Sequence, residues 1–463
     1  MELALPRPPI RIWRERPAEV RALETWLICW ILLPNLGYWL LWVIGGPPRT
    51  IPILITGLAG IVVHRAPFAL KFGLFLVLMV YSAMCFVSAL FNLSLYSLAH
   101  SLRFAAELSF SASIEYLICG AAILATIAAA WFLLRRPSAL QRPLWITVAG
   151  TTTIFAASID HSMAEGNRGS YKRTPDPGAP FTSAAGRSGL AAIATGDRHV
   201  LMVMVEAMGQ PTDPAIRTRL VDLWARPEVR ARYQVITGET LFYGSTTNGE
   251  MRELCGRWGE YHEVIERRDS SCLPAALAER GYKTQAWHSF NGTFFDRTTW
   301  YPNVGFEEMR FAPELMRDGA HRCPGVFPGA CDRDVPRQIG QALRRAREPQ
   351  FIYWLTVNTH LPVPTSRALG TEACDGFDAA LAEDYPMTCR LMQLWDQSGR
   401  ALASEIAAAD FPATDILIVG DHIPPFFDRH HRNQFEPDRV PWILLRPRGQ
   451  ELRVPQPGVA AQR

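Results

Sequence analysis

Charge is what the first third of the chain is short of. Between Glu24 and Arg49, Lys71 and Arg103, Glu115 and Arg135, and Arg142 and Asp160 there is no Asp, Glu, Lys or Arg at all. The whole chain lacks a strong excess of either sign, and a net charge of +3 leaves no electrostatic footprint for nucleic acid. There is no internal repeat and no long low-complexity tract, and none of the nine cysteines falls in a CxxC spacing. With 463 residues, 48% of them hydrophobic and 20% charged, and a mean hydropathy of +0.02, the sequence is too long for one ordinary domain and too apolar for a disordered chain.

What is there in the uncharged stretches is apolar and long enough to matter. A bilayer core takes about 20 apolar residues as helix, and a charge inside it costs several kcal/mol. Four spans follow, roughly 25–45, 72–94, 115–134 and 144–160. A fifth, Ile51 to Val63, is short enough to be a re-entrant or buried segment on length alone. The basic residues argue for a crossing. With five spans Arg7, Arg11, Arg14, Arg16, Arg21, Arg65, Lys71, Arg135, Arg136 and Arg142 fall on one side, and only Arg49 and Arg103 on the other. The N-terminus is then cytoplasmic, and everything after residue 160 reaches the outer face. The first apolar stretch lacks a small-residue cleavage site and is expected to remain as an anchor.

Cysteine placement leads to the same compartment. Cys29, Cys85 and Cys119 lie in the expected spans, where a thiol is a small apolar group. Cys255, Cys272, Cys323, Cys331, Cys374 and Cys389 form three sequential couples in the soluble part. Their even number suggests disulfides and an oxidising compartment such as a periplasm, with sequential pairing the simplest choice; a zinc site ranks below this. The organisation read from these signals is a transmembrane domain over 1–160, a Gly/Ser/Pro-containing linker over 161–197 that includes Lys172, Arg173 and Asp176, and a periplasmic catalytic domain over 198–463.

The soluble part alternates short apolar runs with amphipathic stretches, the pattern of a mostly parallel sheet covered by helices. Strands are expected at His199–Val205, Lys283–Trp287, Phe351–Val357 and Ile416–Val419. Helices are expected at Leu273–Arg280, Val335–Ala346 and Arg390–Ala409, whose apolar stripe needs only core packing to explain it. Glu206, His288, His360 and the pair Asp421 and His422 follow these strands. In open α/β sheets ligands bind beyond the carboxyl ends of strands, so side chains from four of them are aimed at one place. Singly, each has a structural explanation, such as a helix cap or a satisfied histidine.

Glu206, Asp421 and His422 supply two oxygens and a nitrogen, a mixture suited to Zn or Mn. Three protein ligands leave a position that a hydroxyl from Tyr243-Gly-Ser-Thr-Thr-Asn-Gly-Glu250 can fill. Coordination by a metal favours the alkoxide of such a hydroxyl at neutral pH.

Taken together these residues resemble the membrane-anchored alkaline-phosphatase-like transferases of bacterial envelopes, which include lipoteichoic acid synthase, the phosphoglycerol transferases of periplasmic glucans and the lipid A phosphoethanolamine transferases. V-M-V-E-A looks like the first metal-ligand strand, G-S-T-T-N-G-E-M-R-E-L-C-G like the nucleophile loop, and I-V-G-D-H like the final metal pair. The resemblance implies a five-helix membrane bundle followed by a sulfatase-type α/β domain. It implies Glu206, Thr246, Asp421 and His422 around one divalent metal, Zn or Mn with Mg as a third choice, and a second metal arriving with substrate. Thr246 is the nucleophile it implies, with Thr247 and Ser245 in reach. His288, Phe295 and Arg297 are similar to a polyol-phosphate pocket; Arg297 has a surface ion pair with Asp296 or its neighbours as its plainer role. His360 matches a substrate-side histidine that protonates the leaving oxygen, and His430 or His431 is a second such group or a solvated pair.

The cysteine couples resemble the phosphoethanolamine branch and the His288–Arg297 motif the phosphoglycerol branch, and Gly249 stands where several relatives carry Ser. The implied reaction transfers a phospho-alcohol from phosphatidylglycerol or phosphatidylethanolamine to an envelope glycan or lipid through a phospho-threonine, by a monomer in the inner membrane. A phosphodiesterase with water as acceptor uses the same residues. A sulfatase is disfavoured because no C-x-P-x-R sequence is present, and a non-catalytic sensor because no ligand or hydroxyl is missing.

Overall fold

The computed structural model describes residues 17–44, 46–163, 174–175, 177–426 and 428–448. Arg7, Arg11, Arg14 and Arg16, and Lys172, Arg173 and Asp176 of the expected linker, lie outside the described residues.

The apolar stretches of the first third are helical, but they are not five equal crossings. Phe68–Leu90 and Ile114–Leu133 are the described helices long and apolar enough to span a bilayer. Thr50–Val62 is shorter, and Pro143–Met163 carries Asp160, which is buried and accepts from the Arg49 N–H at 2.8 Å and the Thr50 hydroxyl at 2.9 Å. The first expected span is broken into Ala18–Trp26, a π-helical turn Leu27–Leu32, and Leu36–Ile44. Pro34 and Asn35 stand at that break, where a proline cannot continue the hydrogen-bond ladder. The described residues thus show two clear apolar spans beside other apolar helices, and not the five-helix bundle expected from the sequence.

Between the two long helices the chain does not simply turn. Leu95–Ser101 and Leu102–Glu107 form a strap that lies on the soluble domain. His100 Nε2 is 2.8 Å from Asp296, Arg103 pairs with the same carboxylate, and the Thr293 hydroxyl donates to Glu107 at 2.9 Å. Phe104 is buried against Phe290, Phe294 and Val357.

The soluble domain is a three-layer α/β/α unit. The seven described strands of its main sheet are β1 His199–Val205, β2 Tyr233–Leu241, β3 Lys283–His288, β4 Glu308–Arg310, β5 Gln350–Leu355, β6 Thr414–Gly420 and β7 Arg439–Pro447. Their order is β2-β7-β6-β1-β5-β3-β4, with β6, β1, β5, β3 and β4 parallel and β7 antiparallel to both its neighbours. The central strands are apolar on both faces, as a sheet covered on both sides requires, and a core lies on each face. Expected strands match β1, β3, β5 and β6 to within two residues, whereas β2 and β7 were not expected. Pro386–Ile406 starts earlier than the helix expected from Arg390, because Pro386 sits in its first turn, where its missing N–H costs nothing. The three cysteine couples are disulfides, Cys255–Cys272, Cys323–Cys331 and Cys374–Cys389.

Candidate active site and metal centre

Register delivers the site. Val205 pairs with Gly420 across β1 and β6, and His288 with Leu355 across β3 and β5, so these strands end level and the residues after them share one rim of the sheet. Glu206 is pinned at that rim from both sides: its N–H donates to Thr356 Oγ1 at 2.9 Å and its carbonyl accepts from Thr359 Oγ1 at 2.6 Å. Asp421 spends one oxygen, Oδ1, on the N–H groups of Ala207 at 2.8 Å and His422 at 2.6 Å. Its other oxygen, Oδ2, and Glu206 Oε1 are buried with no hydrogen-bond donor among the described residues.

Those two oxygens meet one imidazole. His422 Nε2 lies 3.4 Å from Glu206 Oε1 and 3.3 Å from Asp421 Oδ2, and ligand atoms of the three side chains all fall within 4.8 Å of one another. His422 Nδ1 is 2.7 Å from the Ile423 carbonyl, which can only accept, so Nδ1 carries the hydrogen and Nε2 faces the carboxylates. Burial would raise the Glu206 pKa, but the neighbouring His422 imidazole holds it down at about 2. Burial, then the Glu206 charge, push Asp421 up to about 8. Burial opposes a charge on His422, yet Asp421 and Glu206 raise it to about 9. Two buried carboxylates thus compete for scarce positive charge. Orphaned oxygens, an aimed imidazole nitrogen and a hard-to-borderline donor set fit a divalent cation.

Thr246 completes the set. Its hydroxyl donates to Glu206 Oε2 at 3.1 Å and is 3.3 Å from His422 Nε2. It is the first residue of the helix Thr246–Cys255, so it sits at the positive end of the helix dipole, favourable for an alkoxide or a phosphate. Ser245 is the cap of that helix, in a reciprocal box with Asn248. Thr247 is buried and its hydroxyl faces Ser245 Oγ at 3.3 Å. Of the three hydroxyls in the loop, Thr246 is the one bonded to Glu206.

Two further histidines flank this cluster. The Nδ1 of His360 is 2.8 Å from the Leu361 carbonyl and that of His288 is 3.1 Å from the Leu355 carbonyl, leaving each Nε2 as the free lone pair. Burial lowers both pKa values, and the Arg297 charge pushes His288 down further. The Glu206 and His422 charges both reach His360, which lies in their field.

The structure does not gather every expected residue. Arg297 is buried, and its Nη2 and Nε donate to Glu250 at 2.9 and 3.2 Å, while Nη1 donates to the Phe294 carbonyl at 3.2 Å. Its guanidinium lies 5.6 Å from the Phe295 ring centroid, so it meets the expected aromatic but is already committed to a carboxylate, and not to Asp296. His430 is exposed and stacks on Tyr385, with Nε2 3.2 Å from the Asp384 carbonyl. His431 Nδ1 lies 3.0 Å from Asp428. Neither hydrogen-bonds a metal-set residue.

Several residues that matter here carry no motif. Arg252 is buried and donates from Nη2 to the Gly420 carbonyl at 2.7 Å and from Nη1 to the Asp421 carbonyl at 3.1 Å, tying the Thr246 helix to the turn that bears two ligands. Asp332, raised to about 6 by burial, accepts from Val357 and Asn358 N–H groups at 3.1 and 2.7 Å and so fixes the loop leading to His360. Arg252 is separated by 168 residues from its partner Gly420 and Asp332 by 25 from Val357. No local pattern marks such pairs.

Comparison with known proteins places these residues in context. The sequence profile described as Sulfatase matches residues 199–457, more than half of the chain. A putative cyclic beta-1,2-glucan modification protein of Rhizobium meliloti (strain 1021) is 26% identical over 247 residues, which is 50% of this chain and 36% of that protein. This chain therefore spans well under two thirds of that relative's length. Among solved structures, the lipoteichoic acid synthase of Listeria monocytogenes aligns over 56% of this chain and 67% of its own at 14% identity and TM-score 0.40. The integral membrane lipooligosaccharide phosphoethanolamine transferase of Neisseria meningitidis aligns over 86% of this chain and 81% of its own at 11% identity and TM-score 0.41.

Proposed function

Because this chain belongs to the Sulfatase family, with a threonine hydroxyl at a ready-made cation site, we propose that it is a membrane-bound phosphotransferase that moves a phospho-alcohol from a phospholipid to an envelope glycan or lipid through a covalent phospho-threonine. The observation that carries this reading is the position of Thr246 Oγ1, 3.1 Å from Glu206 and 3.3 Å from His422 at the N-terminus of a helix.

Glu206, Asp421 and His422 would hold one divalent cation, Zn or Mn, with Thr246 as its fourth ligand. Such an ion supplies charge that favours the threonine alkoxide and offsets the charge on phosphorus. The chain's own groups do the rest. Thr246 Oγ attacks phosphorus in line, forming an O–P bond as the bond from phosphorus to the diacylglycerol oxygen breaks. Neutral His360, its Nδ1 fixed by the Leu361 carbonyl, is assigned the proton transfer from Thr246 to the departing oxygen, so that diacylglycerol leaves as an alcohol. In the second half the acceptor hydroxyl gives its proton to His360 and attacks the phospho-threonine, and Thr246 is restored.

Phosphatidylglycerol and phosphatidylethanolamine are both donors of suitable chemistry, and His288 and Phe295 are assigned to the headgroup. The molecule is read as a monomer lying across the inner membrane, with 1–160 in the bilayer, 161–197 as linker and 198–463 in the periplasm. The three disulfides and the one-sided basic residues support that orientation. Mass spectrometry of the full chain incubated with labelled phospholipid tests the reading: a phospho-alcohol on Thr246, absent from Thr246→Ala, is the expected result. An adduct on Thr247 would move the nucleophile and spare the mechanism, and no adduct on any residue with product formed only by water would make the protein a phosphodiesterase.

A further inference from the structure

Beside the metal centre lies a groove of about 290 Å³ that no step above uses. One side of it comes from the membrane part: Phe91, directly after the helix Phe68–Leu90, and Glu115, in the first turn of Ile114–Leu133. Among the described residues these are the two helices long and apolar enough to cross a bilayer. The facing wall comes from the soluble domain, with Met387 and Arg390 from the helix Pro386–Ile406 and Phe426 and His431 from the segment after β6.

The groove adjoins the site, with Phe91 and Pro425 as shared walls. Phe91 also lines a small recess that contains His422, and its ring stacks on that of His360 with centroids 5.8 Å apart. A molecule lying in the groove would therefore reach from the outer ends of the membrane helices to the rim where Glu206, His422 and Thr246 meet.

Its lining says what kind of molecule. The walls are mainly apolar, and the polar lining consists of Glu115, Asp428, Arg390 and His431; Glu115 accepts from the Ser113 hydroxyl at 2.6 Å and Asp428 from the His431 N–H at 2.9 Å, so both carboxylates already have donors. Arg390 spends Nε on the Val363 carbonyl at 2.9 Å and Nη2 on the Met387 sulfur at 3.4 Å, which leaves Nη1 to donate to a ligand. His431 Nδ1 faces Asp428, and its Nε2 is buried with no hydrogen-bond partner. A glycan would bring more hydroxyls than these few groups can satisfy, and each one buried without a partner is destabilising. A lipid brings apolar chains and a few ester carbonyls, which only accept. The volume sits at the lower end of the range for ligand pockets, roughly 300–1,000 Å³, enough for a glycerol backbone and its ester links while the acyl chains stay in the bilayer.

We propose that this groove seats the diacylglycerol end of the donor lipid, entering between the outer ends of helices Phe68–Leu90 and Ile114–Leu133, with Arg390 donating to an ester carbonyl and Phe91 as the shared wall between lipid and reaction centre. The proposal rests on the transferase reading above and assigns the half of the donor that the metal site leaves unplaced.

Photocrosslinking tests it without depending on turnover. The full chain is reconstituted in vesicles of phosphatidylglycerol and phosphatidylethanolamine with a photoreactive residue replacing Met387, or in a second variant His431, each also made in Thr246→Ala. A phospholipid adduct in either variant, present with and without Thr246, is expected. In parallel, Met387→Trp is expected to lower kcat/KM for the phospholipid about tenfold relative to that for an acyl-free phosphodiester. If neither position captures lipid while Thr246 still acquires its phospho-alcohol, the groove assignment is overturned and the transferase reading stands. If lipid is captured but Thr246 is never modified, the groove stands and the transferase reading falls. An equal loss for both substrates in Met387→Trp would overturn the assignment, since a groove wall that only supports the fold does not discriminate between them.

Discussion

Gly249 backs directly onto Asp421. A Cβ at position 249 would lie 3.1 Å from the Asp421 carbonyl oxygen and 3.2 Å from its Cα and Cβ, closer than side chains normally pack. The absence of a side chain there lets the helix that carries Thr246 seat itself against the turn that carries two metal ligands, and Arg252 clamps the seat from the same helix through the Gly420 and Asp421 carbonyls.

Gly249→Ala should therefore act on the metal centre without touching substrate. The neighbour is backbone, which yields by only a few tenths of an ångström, so kcat is expected to fall about tenfold, and Gly249→Val further, because small misplacements of reacting groups are costly. Calorimetric titration of Zn or Mn into the apo-protein checks it. Weakened metal affinity in step with kcat is the expected pattern, and normal affinity with normal kcat would contradict the seat.

Arg297 separates two roles cleanly. Buried and bonded to Glu250, with Tyr301 and Tyr353 hydroxyls on the same carboxylate, it is expected to matter for stability first. Arg297→Met strands a buried carboxylate and should cost on the order of 3 kcal/mol, read as a lowered denaturation midpoint. Arg297→Met with Glu250→Gln should recover much of it. A variant that keeps its midpoint but loses donor affinity would return Arg297 to the headgroup pocket.

Removing the cation should remove the covalent step and not the fold. Incubation with a chelator is expected to abolish labelling of Thr246 while the three disulfides hold the domain together, and Zn or Mn should restore it. Asp421→Asn, which replaces the orphaned oxygen by a donor or turns a donor toward both the Ala207 and His422 N–H groups, should lower metal affinity by about 10–100-fold. Metal content by atomic emission, measured beside activity, decides the case.

The pH dependence of stability follows from His288. Its folded pKa is pushed well below the usual histidine value by burial and the Arg297 charge. The unfolded chain then binds a proton near pH 6.5 that the folded chain refuses, so stability is full above that pH and falls as pH drops below it. The slope contributed is about 1.4 kcal/mol per pH unit. Denaturation midpoints at pH 5 and 7.5 should show the loss, and His288→Gln should reduce it.

Much of this is legible in the amino-acid sequence. The strands that lead to Glu206 and Asp421 are short runs rich in apolar residues, and these carboxylates are the first polar groups after them, so that part of the rim of the sheet can be read from sequence alone. β2 and β7 cannot. Their apolar runs are broken by Thr237, Glu239 and Thr240 and by Pro441, and they become strands by pairing with each other, Gly238 opposite Trp442.

The sequence by itself determined the kinds of chemistry present: apolar lengths fit for a bilayer, paired cysteines, two carboxylates and an imidazole after strands, and a hydroxyl loop. These are local properties, set by hydropathy and by what each side chain can ligate. Only the tertiary structure decided which partner each buried charge takes. It gave Arg297 to Glu250, 47 residues away, and Arg252 to the ligand turn. It laid Phe104 and Phe91 of the membrane part against the soluble domain. Burial makes an unpaired charge costly but does not specify the partner; that choice belongs to whichever group the packed chain brings within reach.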